Sequence, residues 1–228
     1  MTTQYRIISI GTLSSHPLWD EPENTRTGHA TTTLISVGDS HVLVDPSLPP
    51  QVLLHRLSER TPIKPEQVTH VFLTTFEPER RRSLTAFDGA HWLMHEPEIE
   101  AARPALGQRV EEADDIGDAK MAAFFRDQLT LLQRLEPAPD ELMPGIDLFP
   151  LPGVTPGSCG LLLPLPGLTV LVCGDAVATA EHLEQGKVLP HCVDVEQARE
   201  SFREAVEIAD VIIPGRDNVM PNPLRRMM

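Results

Sequence analysis

Four short segments hold most of the side chains that could do chemistry. VFLTTFEPERR (71–81) carries Thr75, Glu77, Glu79 and Arg80 just past an apolar run. PGVTPGSCGLLLP (152–164) carries Ser158 on a Gly/Pro loop entering a strand. VLVCGDA (170–176) is an apolar run ending in Gly174-Asp175, and VIIPGRDN (211–218) is one ending in Gly215-Arg216. All four read as strand ends or the loops beside them, where sites are commonly built. Carboxylates such as Glu77 and Glu79 can act as general bases. Arginines such as Arg80 and Arg216 make directional forks to carboxylates and stay protonated.

Other reactive types carry less. Ser158 or Cys159 would need an adjacent base to act as a nucleophile. Gly157-Ser158-Cys159-Gly160 is not the G-x-S-x-G elbow, so Ser158 is expected as a small neutral filler and Cys159 as a buried strand residue. His16 and His29 lie in or beside a polar early loop, where hydrogen-bonded structural roles are the default and ligand contact is the sharper alternative. His191-Cys192 has no partner motif.

The elements that must position these groups follow from periodicity. Strands are expected at 5–10, 30–37, 41–45, 69–74, 90–94, 146–150, 159–163, 168–173 and 209–214, with a Gly38-Asp39 hairpin turn. Helices are expected at 50–60, from Pro78 over 78–86, at 96–103, 118–135, 179–185 and 195–208. Strands precede and separate helices in both halves and are mostly apolar, so helices should cover their sheets. Two sheets packed face to face with helices outside fit that pattern, as one domain over 1–228 with a helical insertion at 96–136.

The order and spacing of the segments resemble the metallo-β-lactamase superfamily, and within it the lactonase-like hydrolases. The resemblance runs from the 30–47 hairpin, ending LVDPS, to IIPGRDN. It implies an α/β fold, the four-layer αββα sandwich. It also implies a site. The family's His-x-His-x-Asp-His falls on Thr75-Phe76-Glu77-Pro78-Glu79-Arg80, its loop histidine on Ser158, its bridging aspartate on Asp175 and its last histidine on Arg216. Asp45 matches an aspartate behind the ligands. Six of the seven ligand positions are therefore changed, and Asp175 alone is kept.

The family uses imidazoles to hold zinc or iron, which turns bound water into hydroxide near neutral pH. Here no His or Cys falls on a ligand position, and arginine cannot coordinate a cation. No metal and no cofactor are therefore expected. The leading expectation is an ion-pair network, with Arg80 and Arg216 neutralising Glu77, Glu79 and Asp175. The alternative is a hard-cation site for Mg²⁺, Mn²⁺ or Ca²⁺ through Glu77 and Asp175. Two function classes follow: a non-catalytic relative that binds a small molecule or a protein, or a hydrolase of lactone or ester type using a hard metal or metal-free chemistry. Fold alone does not choose between them.

Composition narrows the partners. The 228 residues carry a net charge of −14, which repels phosphate backbones and excludes nucleic acid from the expected partners. MTTQYRIISIGT lacks a signal-peptide pattern, and no apolar run is long enough to span a membrane. Three sparse cysteines fit a reducing cytoplasm. Met121, Phe124, Phe125, Leu129 and Leu132 recur at helical spacing within 96–136. A core-facing stripe is the default for them, and a pocket lid or homodimer surface the alternative. The tail PNPLRRMM reads as a loose or docked terminus.

Overall fold

The apolar, β-branched runs pair into two mixed sheets in the computed structural model, which describes residues 3–225. The first sheet has the order β1 (Thr3–Ser9), β2 (Thr32–Val37), β3 (Ser40–Val44), β4 (His70–Leu73), β5 (His91–Met94), β6 (Glu136–Pro137). The second has the order β12 (Met220–Pro221), β11 (Val211–Pro214), β10 (Leu168–Gly174), β9 (Cys159–Leu165), β8 (Ile146–Pro150), β7 (Glu141–Met143). β3 to β6 run parallel, as do β10 and β11, and the other pairings are antiparallel.

Period-two alternation sorts the side chains into layers. Val42, Val44 and Phe72 from the first sheet meet Leu161, Leu163, Val170, Val172 and Ile213 from the second. Their neighbours in sequence turn the other way. Leu43, Val71 and Leu73 pack with Leu53 and Leu57 of α1 (Pro50–Arg60) and with Ile99 and Leu132. These last two belong to α2 (Glu96–Asp115) and α3 (Ala119–Gln133). Leu171 and Ile212 pack against Phe202 and Ala205 of α5 (Val195–Ile208). The expected helix–sheet–sheet–helix layering is therefore present. Short α4 (Ala180–Gln185) follows β10.

Three expectations need correction. Residues 78–86 form two 3₁₀ turns, Pro78–Arg80 and Leu84–Phe87, not an α-helix. Ser83 explains part of this: its backbone N–H donates to Pro46 O at 2.9 Å and is lost to any helical ladder. α2 continues past 103 through Pro104. Pro104 is exposed, so the carbonyl it leaves unpaired one turn earlier can meet water. The supposed core-facing stripe of α3 is not all buried: Leu132 is, whereas Met121 and Phe124 are exposed. Here α3 leans on α2 with Ala122, Gln128 and Leu132 inward. The tail is docked as far as it is described, with Asn222 Nδ2 donating to Val206 O and Ala209 O at 2.7 and 2.8 Å. Met1, Thr2, Arg226, Met227 and Met228 lie outside the described residues. Among the described residues no helix is long and apolar enough to cross a membrane.

One buried acid ties the loops beside the sheets together. Glu98, in the first turn of α2, accepts from Phe76 N at 3.0 Å, Thr155 Oγ1 at 2.8 Å and Gly157 N at 3.1 Å. The approach is close enough that a Cβ on Gly157 would fall 2.0 Å from Glu98 N. Glu98→Ala strips three donors of their acceptor at once. It is expected to lower the unfolding free energy by about 2–4 kcal/mol, read as a lower midpoint at unchanged slope in urea unfolding.

Candidate functional site

The site forms where strand ends of both sheets meet. Asp45 follows β3, Thr74 follows β4, Asp175 follows β10 and Arg216 lies just past β11. All four stand at the carboxyl ends of parallel-paired strands, the usual position for a crevice in such sheets. The backbone pays a conformational cost there. Asp45 sits at φ +48° and Gly174 at φ +54°. Gly215 passes so near Asp175 that a Cβ would lie 2.2 Å from Oδ1, so only glycine fits between the two charged residues.

Arg80 is the centre of the constellation. Its side chain is 0% exposed. Nη1 donates to Asp45 Oδ2 at 2.7 Å, and Nη2 lies 2.5 Å from Asp175 Oδ2. The Asp175 contact is an ion pair whose angles are poor for a hydrogen bond, and Nη2 accordingly has no aligned acceptor. Nε is 3.6 Å from Glu77 Oε2 and has no acceptor within bonding range. Asp45 is held in turn by Thr74, whose N and Oγ1 donate to Oδ1 and Oδ2 at 2.9 and 2.7 Å.

Arg216 closes the network above. Its Nε donates to both Asp175 oxygens at 3.1 and 3.2 Å, and Nη2 donates to Oδ2 at 3.0 Å. Nη1 donates to Glu79 Oε2. Glu77 Oε2 stands 3.5 Å from Nη2, is shielded from water and accepts no hydrogen bond.

The charges set one another's protonation. Burial works to raise the Asp175 carboxyl, but Arg216 and Arg80 overcome it and hold it well below the usual carboxylate range. Burial also opposes the charge on Arg80, and Asp175, Asp45 and Glu77 outweigh it. Asp45 behaves differently: burial pushes it up by more than Arg80 and Thr74 pull it down. Burial and the neighbouring Asp175 likewise push Glu77 up.

Two predicted members stay outside the network. Thr75 is buried and accepts from Glu77 N at 3.4 Å, which shapes its own loop. Ser158 Oγ donates to Leu151 O at 2.6 Å and has no base as a partner. Burial pushes the Cys159 thiol up, away from nucleophile chemistry. His16 is buried, stacks on Trp19 and reaches Thr179 Oγ1 at 3.2 Å, while His29 Nε2 pairs with Ile10 O at 3.0 Å. Neither borders the network. Burial and the nearby His16 lower His182 to about 4, so it is neutral at pH 7.

A cleft of about 280 Å³ lies over the network, lined by Leu13, Ser14, Glu77, Pro78, Glu79, His191 and Arg216. A second cavity of about 360 Å³ shares Leu13, Ser14 and His191 with it. Ser14 and His191 carried no motif, and only the folded loops bring them to the rim. Thr74 was equally invisible, since a threonine at a strand end is common.

The layers and the strand-end site define a protein of the αββα-sandwich class. The model for the "Metallo-beta-lactamase superfamily" matches residues 25–216, and the chain belongs to that superfamily. No curated protein matches it. Solved structures with the same fold include a Thermotoga maritima protein assigned to the metallo-beta-lactamases. That match has 15% identity and TM-score 0.69, covering 97% of this chain and 100% of that one. The dizinc quorum-quenching lactonase AidC matches at 12% identity and TM-score 0.62, covering 87% and 80%. An N-acyl homoserine lactone hydrolase, solved with N-hexanoyl-L-homoserine at its catalytic metal centre, matches at 18% and 0.62, covering 95% and 94%. At such identities the likeness establishes the fold alone.

Two outcomes follow from the network. Arg80→Ala would leave Asp45 and Asp175 buried and under-compensated, and is expected to cost about 3–5 kcal/mol of stability. Arg80→Met combined with Asp45→Asn should recover part of that loss in thermal unfolding. Because the folded Asp175 carboxyl is depressed, its contribution is complete above the unfolded value of about 4 and is lost as pH falls through the folded value. The acid limb of stability against pH should therefore be shallower in Asp175→Asn than in the wild type.

Proposed function

We propose that this superfamily member binds a small molecule or a protein segment in the cleft over the Arg80/Arg216 network and does not act as a zinc hydrolase. The observation that carries this is the place of Arg80. Its guanidinium spans Asp45 and Asp175 at 2.7 and 2.5 Å, so a permanent cation already sits on the carboxylate a metal would use. Arg216 occupies both oxygens of the same carboxylate. A zinc ion there would meet two fixed positive charges, and among the described residues no group of three or more His, Cys, Asp or Glu side chains is placed to hold it, so the donor set does not fit. A hard cation between Glu77 and Asp175 meets the same objection.

The second reading is metal-free hydrolysis of a lactone or ester. It draws on Glu77, whose carboxyl is raised and borders the cleft, as a general base should. The three free cysteines are in keeping with a reducing cytoplasmic setting for either reading.

Elemental analysis of protein purified without chelator is expected to give zinc, iron and manganese far below one per chain. Lactone, thioester and β-lactam substrates are expected to turn over at background rates. Stoichiometric metal would overturn the binding reading. Turnover abolished by Glu77→Gln would replace it with the hydrolytic one.

A further inference from the structure

We infer that the outer stripe of α3, with the turn that joins it to α2, is a surface on which two copies of this chain pair, their α3 helices antiparallel about a two-fold axis.

Exposure is the first argument. Three of the eleven large apolar side chains exposed among the described residues fall within residues 116–124: Ile116 at 73%, Met121 at 44% and Phe124 at 51%. Single exposed apolar residues are ordinary, whereas a group of them on one short stretch marks an association surface. Phe125 holds the Phe124 ring edge to face, with centroids 5.4 Å apart. α3 cannot roll to bury that ring. Its inward side is committed to Ala122, Gln128 and Leu132, and Gln128 Oε1 accepts from Arg81 Nη1 at 2.5 Å. Nor do these side chains form a lid, since none of the residues lining either cavity at the site comes from 96–136.

Charge names the occupant. The chain carries a net charge of −14, so most of its surface repels a second copy. α3 differs, because its only charged residues are Lys120, Arg126 and Asp127. Arg126 is spent on Asp114 at 2.6 Å. Lys120 and Asp127 are exposed and belong to no ion pair among the described residues. With Phe124 they stand at positions i, i+4 and i+7, which share one stripe of a helix. The stripe therefore reads positive, apolar, negative. Laid antiparallel on a second copy, that pattern is its own complement, as a two-fold interface requires. Lys120 of each copy meets Asp127 of the other. The midpoint of 120 and 127 falls between Ala123 and Phe124, so the same axis sets each Phe124 ring over the exposed, small Ala123 of the other copy.

Size sets the affinity. The fifteen residues of α3 span about 22 Å. A pair of such helices is at the small end of specific interfaces, and a dissociation constant on the order of 10 μM is expected.

Sedimentation equilibrium of the full chain from micromolar to millimolar concentration tests this. A monomer–dimer equilibrium is expected. Phe124→Glu should weaken it at least about tenfold, by placing two carboxylates at the axis, whereas Val52→Glu, at an exposed apolar position of α1, should not. Lys120→Asp and Asp127→Lys should each weaken it about fivefold, the scale of turning two exposed attractive pairs into repulsive ones. The double variant Lys120→Asp/Asp127→Lys should return to the wild-type constant. Should Phe124→Glu fail to fold by circular dichroism, the charge exchange carries the test alone. A dimer indifferent to Phe124→Glu and to the single charge reversals would overturn the inference, as would singles that weaken it without recovery in the double. A monomer at every concentration would overturn it too, and would leave this face to a different protein.

Discussion

Burying a charge is costly unless an opposite charge is buried with it, and Arg80 is the place where this chain meets that constraint. A fully shielded guanidinium sits between the strand ends of two sheets. It requires Asp45 on one side and Asp175 on the other, and each of those requires Arg80. Much of the local architecture serves that mutual need. Asp45 accepts a left-handed backbone and two donors from Thr74. Gly215 gives up a side chain so that Arg216 can approach the same aspartate.

The same constraint shapes the floor of the cleft. In a metallo-hydrolase the ion offsets converging carboxylates and activates water. Here guanidiniums do the first job and cannot do the second, because they bind no water as hydroxide and keep their protons. Asp175 is neutralised at depth by both arginines, whereas burial and Asp175 push the Glu77 carboxyl at the cleft up. At the cleft Glu79 is paired with Arg216 Nη1, and Glu77 Oε2 accepts no hydrogen bond.

Packing around the site is ordinary by comparison. Three apolar layers follow from strict alternation along β3, β4 and β10, and Glu98 pins two site loops to the start of α2. The exposed Ile116 at the end of α2 and Met121 and Phe124 on α3 depart from an apolar-in arrangement in the helical segment.

The sequence by itself determined the layers and the chemical inventory. Short apolar, β-branched runs bounded by turn residues read as strands buried on two faces, and the motif order placed Asp45, Glu77, Glu79, Arg80, Asp175 and Arg216 at strand ends or in the loops beside them. Local pattern failed at 78–86, where Pro78 promised a helix but Ser83 spends its N–H on the distant Pro46. Thr75 and Ser158, whose positions match ligands, use their hydroxyls within their own loops, which for Ser158 agrees with the filler role its sequence context suggests. Partner choice was decided only by tertiary structure: that Arg80 takes Asp45 and Asp175, that Arg216 shares Asp175 with it, and that Glu77 is left short of a donor. Pairing depends on distances of a few tenths of an ångström between residues 35 to 137 positions apart, and periodicity, which reports only which face a residue occupies, carries no information on that scale.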